Sequence, residues 1–108
     1  MGFLNQIGSI FTRSGREEAL LDQAMDHAKN KRPEKALEIY ETMLKTHSLS
    51  SSLRARVLFN RALVHSALKN EDQAVAALEA VLKLPEVPDN VQTATKERLV
   101  RLRKRSGS

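Results

Sequence analysis

Two histidines, His27 and His65, stand 38 residues apart in similar surroundings, and they are the first residues in this chain that suggest chemistry. A protein-bound transition metal needs three or four ligands converging at about 2 Å. Helices separated by one such interval hold two imidazoles too far apart for a common ion. The expectation is that both rings pack or face solvent, with no metal and no cofactor. His47 is isolated in a polar stretch. Cysteine is absent, which removes disulfides, thiolate zinc sites and cysteine nucleophiles. No glycine-rich phosphate loop and no Gly-x-Ser-x-Gly is present. Glu17, Glu18, Asp22 and Asp26 are spaced as the solvated face of a helix, so no catalytic residues are assigned and an enzyme is not expected.

Two further groups of residues invite a binding role. Lys96, Arg98, Arg101, Arg103, Lys104 and Arg105 form a basic C-terminal run whose cations could contact phosphates. No aromatic ring lies near it for base stacking, so nucleic acid ranks last among its readings. An acidic protein or a membrane surface ranks second. A capping helix ranks first, with cations at its negative dipole end and a polar outer face. The other group, Phe3, Leu4, Ile7, Ile10 and Phe11, falls on one face of a helix over 3–13. Burying each side chain is worth ~1.5–3 kcal/mol, and ordering the segment costs a comparable total, so this helix needs a surface. That surface is the rest of the domain, another chain such as a second copy, or a membrane. Arg13 is almost the only cation on its polar side, which disfavours the membrane.

The elements that position these residues follow from composition and patterning. The chain has 108 residues, 41% hydrophobic but only 4% aromatic, which suits thin helix-on-helix packing in one domain. Net charge is +5, with +2 in residues 1–16, −2 in 17–50, zero in 51–90 and +5 in 91–108. No run approaches the ~20 apolar residues of a membrane span, and the N-terminus lacks a secretory pattern. A cytoplasmic location is expected, with a membrane-peripheral one as the alternative. Helices are predicted over 16–30, 33–46, 52–69, 71–84 and 89–104. Ser14-Gly15 ends the N-terminal helix, Asn30 and Asn70 close the first and third of these, and Pro33 opens the second. One of Ser50 to Ser52 caps the third, and Asp89 caps the last. Residues 1–15 thus form an N-terminal amphipathic helix, 16–105 a helical domain and 106–108 a tail.

The interval that relates the histidines extends along the chain. Leu20, Ala24, Ala36, Leu37, Tyr40, Met43 and Leu44 return as Leu58, Ala62, Ala74, Val75, Leu78, Val81 and Leu82. Glu34, Glu41 and Lys45 return as Asp72, Glu79 and Lys83. An interval of this size is the mark of stacked helical hairpins, each hiding its apolar face against the next.

Small residues at Ala24 and Ala36 with Tyr40, repeated as Ala62, Ala74 and Leu78, resemble the tetratricopeptide repeat over about residues 17–84. The family's period is 34, and the four extra residues fall in the serine-rich linker. His27 and His65 stand where the family has an aromatic residue. The resemblance implies an all-α fold of two stacked antiparallel hairpins, with a C-terminal capping helix and the short N-terminal helix. It also implies that the first helix of each pair lines a concave groove. Groove positions carry over to Glu18, Leu21, Met25 and Lys29, and to Arg56, Phe59, Asn60, Leu63 and Ser66. Leu21, Met25, Phe59 and Leu63 occupy the turns where some members clamp a peptide carboxylate, so an apolar helix or segment of a partner protein is the expected ligand. Phe59 is the expected hot spot, with Arg56 and Lys29 orienting the ligand. The expected function is a non-enzymatic interaction module. A peripheral membrane tether and a nucleic-acid accessory protein are the alternatives. Two repeats are fewer than the three usually needed, so the flanking helices or a homo-oligomer must complete the core.

Overall fold

The structure, a computed structural model, describes residues 13–105. It contains α1 (Arg13–Lys29), α2 (Pro33–Leu44), α3 (Ser51–Ala67), α4 (Glu71–Leu82) and α5 (Asp89–Arg105), and no strand among the described residues. The all-α expectation holds. Each helix packs on its successor, and α3 also packs on α1 and on α5, so the first helices of successive units stand side by side.

The core lies between units as much as within them. Leu21, Ala24, Ala36, Tyr40 and Met43 of the first hairpin pack with Leu53, Val57 and Val64 of α3. A second cluster joins Ala62, Ala74, Ala77 and Leu78 to Leu99 and Leu102 of α5. Ala24, Ala36, Ala62 and Ala74 are all at most 1% exposed. Their small side chains let paired helices approach until larger neighbours interlock.

Three local expectations are corrected. Ser14 and Gly15 lie inside α1 and do not end a helix. A helical glycine costs about 1 kcal/mol, which the rest of α1 outweighs. The left-handed residues that close α1 and α3 are Lys31 (φ 61°) and Lys69 (φ 68°), not Asn30 and Asn70. Arg32 and Asn70 then donate their backbone N–H to the carbonyls of His27 and His65, both at 2.8 Å. Lys31 and Lys69 donate to Ala28 (3.3 Å) and Ser66 (3.1 Å), completing the same two-bond cap at both turns. Asp89 is the first residue of α5 and not its cap, because the Pro88 carbonyl already accepts from the Gln92 N–H at 2.9 Å. Its carboxylate favours the helix start through the dipole instead. Ser50 does cap α3, its hydroxyl accepting from the Leu53 N–H at 3.2 Å.

The interval of 38 continues into α5. Val57 and Val64, which bury α3 against the first hairpin, are followed at that interval by Thr95 and Leu102. These are 0% and 2% exposed, against 0% and 6% for the valines. Leu58 and Ala62 pack towards α4, and their counterparts Lys96 and Val100 are exposed. The C-terminal helix is therefore the first helix of a third unit that has no second helix among the described residues. Its face towards the stack is kept and its other face is exposed. In the first unit the positions of Val57 and Val64 are held by Ala19, which is half-buried, and by Asp26, which is exposed.

Candidate interaction groove

The parallel placement of α1 and α3 brings equivalent turns together. Asp22, Met25, Asp26 and Lys29 of α1 face Asn60, Leu63, Val64 and Ala67 of α3, each pair at the 38-residue interval. Together with Ala28, Pro33 and Tyr40 they enclose an open cavity of about 470 Å³. Its apolar lining comes from Met25, Leu63, Val64 and Ala67, with Tyr40 at its base. Met25 is 40% exposed and Tyr40 only 1%. Burial pushes the Tyr40 phenol up to about 12, so it remains a neutral hydroxyl at physiological pH. Asp22, Asp26 and Lys29 are exposed at the rim, and Asn60 is half-buried, its amide Nδ2 donating to the Arg56 carbonyl at 2.8 Å. An apolar depression with few polar groups at its margin suits the capture of an apolar side chain.

Four of the expected groove residues, Met25, Lys29, Asn60 and Leu63, meet in this cavity. Three do not. Leu21 is fully buried in the first core cluster, because it faces Leu53 and Val57 of the next unit. Phe59, its counterpart, is half-buried against the two core clusters around α3 and α5. Arg56 is half-buried and outside the cavity, as is Ser66, while Glu18 is exposed and also outside. Asp22, Asp26, Val64, Ala67 and Tyr40 were missing from the expected set. One residue along a helix is a rotation of about 100°, enough to exchange a groove position for a core position. The recurrence of Asp22 as Asn60 and Met25 as Leu63 was the signal that could have found the row.

The histidines act locally. The His27 Nδ1 accepts a hydrogen bond from the Arg32 Nε at 3.0 Å. His65 is 7% exposed, and neither ring nitrogen has a hydrogen-bond partner. Burial, with Arg61 nearby, lowers its proton affinity, and Glu41 opposes this only partly. No three histidine, cysteine or acidic side chains converge among the described residues. The basic run is split: Lys96, Arg101, Lys104 and Arg105 are exposed and Arg98 is half-buried, whereas Arg103 turns to Glu79 at 3.0 Å. Phe3, Leu4, Ile7, Ile10 and Phe11 lie outside the described residues. No described helix is long and apolar enough to cross a membrane.

Residues 55–87 match the family model of the tetratricopeptide repeat, a span that runs from α3 through α4 to the turn before α5. No curated protein and no solved structure matches the chain at a significant level.

Proposed function

From the tetratricopeptide repeat that this chain carries at residues 55–87, the mark of a protein-interaction scaffold, we propose that it is a non-enzymatic module holding an apolar helix or segment of a partner protein between α1 and α3. The observation that supports this reading is the cavity of about 470 Å³ built by equivalent turns of the two helices. A partner's apolar side chain would displace water from Met25, Leu63 and Ala67 and rest on Tyr40. Met25 is unbranched and adapts its shape to what enters. Asp22, Asp26, Lys29 and Asn60 at the margin would set the orientation of the entering chain.

Short peptides selected on the full chain by phage display test this reading. A selected peptide should bind Leu63→Glu at least tenfold more weakly, since a carboxylate would then sit in the apolar cavity. Gln73→Glu, on the exposed side of α4, should bind it unchanged. Equal affinity for the Leu63 variant and the native chain would show that the groove is not the binding site.

A further inference from the structure

The row that forms the groove continues beyond the second unit. At the same interval, Asn60, Leu63 and Ala67 are followed by Arg98, Arg101 and Arg105 of α5. Burial establishes the alignment independently of the residue types. Val57 and Val64 are inward on α3, and Thr95 and Leu102 are inward on α5. Two helices that share two inward positions seven residues apart share their angular register. Arg98, Arg101 and Arg105 therefore stand on the same side of the stack as Asn60, Leu63 and Ala67, and α5 packs directly beside α3.

This side is graded in charge. Asp22 and Asp26 lie at the α1 end, with Lys29 one turn further along. Leu63 and Ala67 occupy the middle, and three guanidinium groups lie at the α5 end. Arg101 and Arg105 are exposed and Arg98 is half-buried, and none of the three makes an ion pair among the described residues. Arg103 is different, because it points to α4 and bonds Glu79. Three arginines fixed on one face of a helix, without acidic partners, are suited to carboxylates, which guanidinium binds through paired N–H groups. Nucleic acid fits this surface less well. α5 carries no aromatic ring for stacking bases, and Asp22 and Asp26 would repel a phosphate chain crossing the face.

Resting on the groove reading above, we propose that the binding surface spans α1, α3 and α5, and that its partner is a protein segment with an apolar centre flanked on one side by acidic residues. The apolar centre fills the cavity between α1 and α3, and the acidic flank lies along Arg98, Arg101 and Arg105. Complementary charge of this kind fixes the register of the ligand and speeds its association.

Random peptides displayed on phage and selected on the immobilised full chain would test the charge preference. The expected result is enrichment of Asp and Glu on one flank of an apolar centre. A synthetic peptide of that sequence should bind R101E/R105E about tenfold more weakly, the scale of two or three exposed ion pairs and their reversal. The variant's helical circular dichroism should be unchanged, because both arginines are exposed. Exchanging the peptide's acidic flank for lysines should weaken binding to the native chain and restore it to R101E/R105E. Apolar peptides enriched without acidic bias, or equal affinity for native and R101E/R105E chains, would overturn this proposal and leave the groove standing. Failure of Leu63→Glu to weaken the same peptide overturns the groove itself. Displacement of the peptide by a single-stranded oligonucleotide from the native chain but not from R101E/R105E would overturn the proposal in favour of a nucleic-acid ligand.

Discussion

Arg103 of α5 donates a hydrogen bond to Glu79 of α4 at 3.0 Å, repeating across the second stacking interface the pair that Arg61 of α3 makes with Glu41 of α2. The acids stand 38 residues apart, but the arginines do not. The position equivalent to Arg61 is Leu99, which is buried in the second core cluster, and Arg103 reaches Glu79 from one turn further along. The interface thus keeps a charge pair while exchanging an arginine for a core leucine. The Arg61 and Glu41 side chains are 23% and 46% exposed, and those of Arg103 and Glu79 are 59% and 48% exposed. Arg61→Ala should therefore cost about 1 kcal/mol and Arg103→Ala about 0–0.5 kcal/mol in urea unfolding. Equal losses would mean that solvent screening does not separate the two pairs.

Lys31 and Lys69 hold the left-handed conformation that glycine adopts without steric cost. Lys69→Gly should stabilise the chain by about 0.5–1 kcal/mol, the relief of that strain less the entropy glycine loses on folding. Lys69→Ala should give no such gain, because alanine keeps the Cβ that clashes. Thermal unfolding of the two variants separates conformational strain from a charge effect, which would move both alike.

Phe59 supports the stack rather than the groove. Phe59→Ala should lower stability by about 2–4 kcal/mol, somewhat less than for a fully buried ring. The fraction that remains folded should bind a groove peptide as the native chain does. A loss of affinity at constant stability would return Phe59 to the binding surface.

His65 makes stability depend on pH. Its folded-state proton affinity is lowered by burial and by Arg61, whereas the unfolded chain protonates at an ordinary histidine value near 6.5. Below that pH the unfolded state binds more protons than the folded state, so unfolding becomes easier as pH falls. The contribution is fully present above about pH 6.5 and is lost progressively on acidification, at no more than about 1.4 kcal/mol per pH unit. Melting temperatures of the native chain should fall between pH 7 and pH 5, and those of His65→Leu should fall less. Identical pH profiles would show that His65 is not the group responsible.

The alanines at 24, 36, 62 and 74 made the paired helices legible without a structure, because close helix approach demands small residues at fixed spacing. Helix ends marked by Pro33, Ser50 and the Pro85–Pro88 turn were legible for the same reason: local backbone chemistry determines them. The groove was only half legible. Met25 and Leu63 could be placed by their recurrence, but Leu21 and Asp22 are separated by a single rotation, and either could have faced the ligand. Which one does so depends on Leu53 and Val57, residues about thirty positions away that bury Leu21.

What the amino-acid sequence determined by itself is the repeat: its interval, its small residues and its helical hairpins. All of these follow from short-range periodicity and from the chemistry of turns. What only the tertiary structure decided is which faces the helices turn to one another. Stacking made Leu21 a core residue, set Phe59 half-buried against the core and brought Asp22 and Asp26 to the rim. It also showed α5 to be a third first helix, with inward positions at Thr95 and Leu102. The physical reason is that a helix specifies its own apolar stripe, whereas burial of that stripe depends on the neighbour supplied from a distant part of the chain.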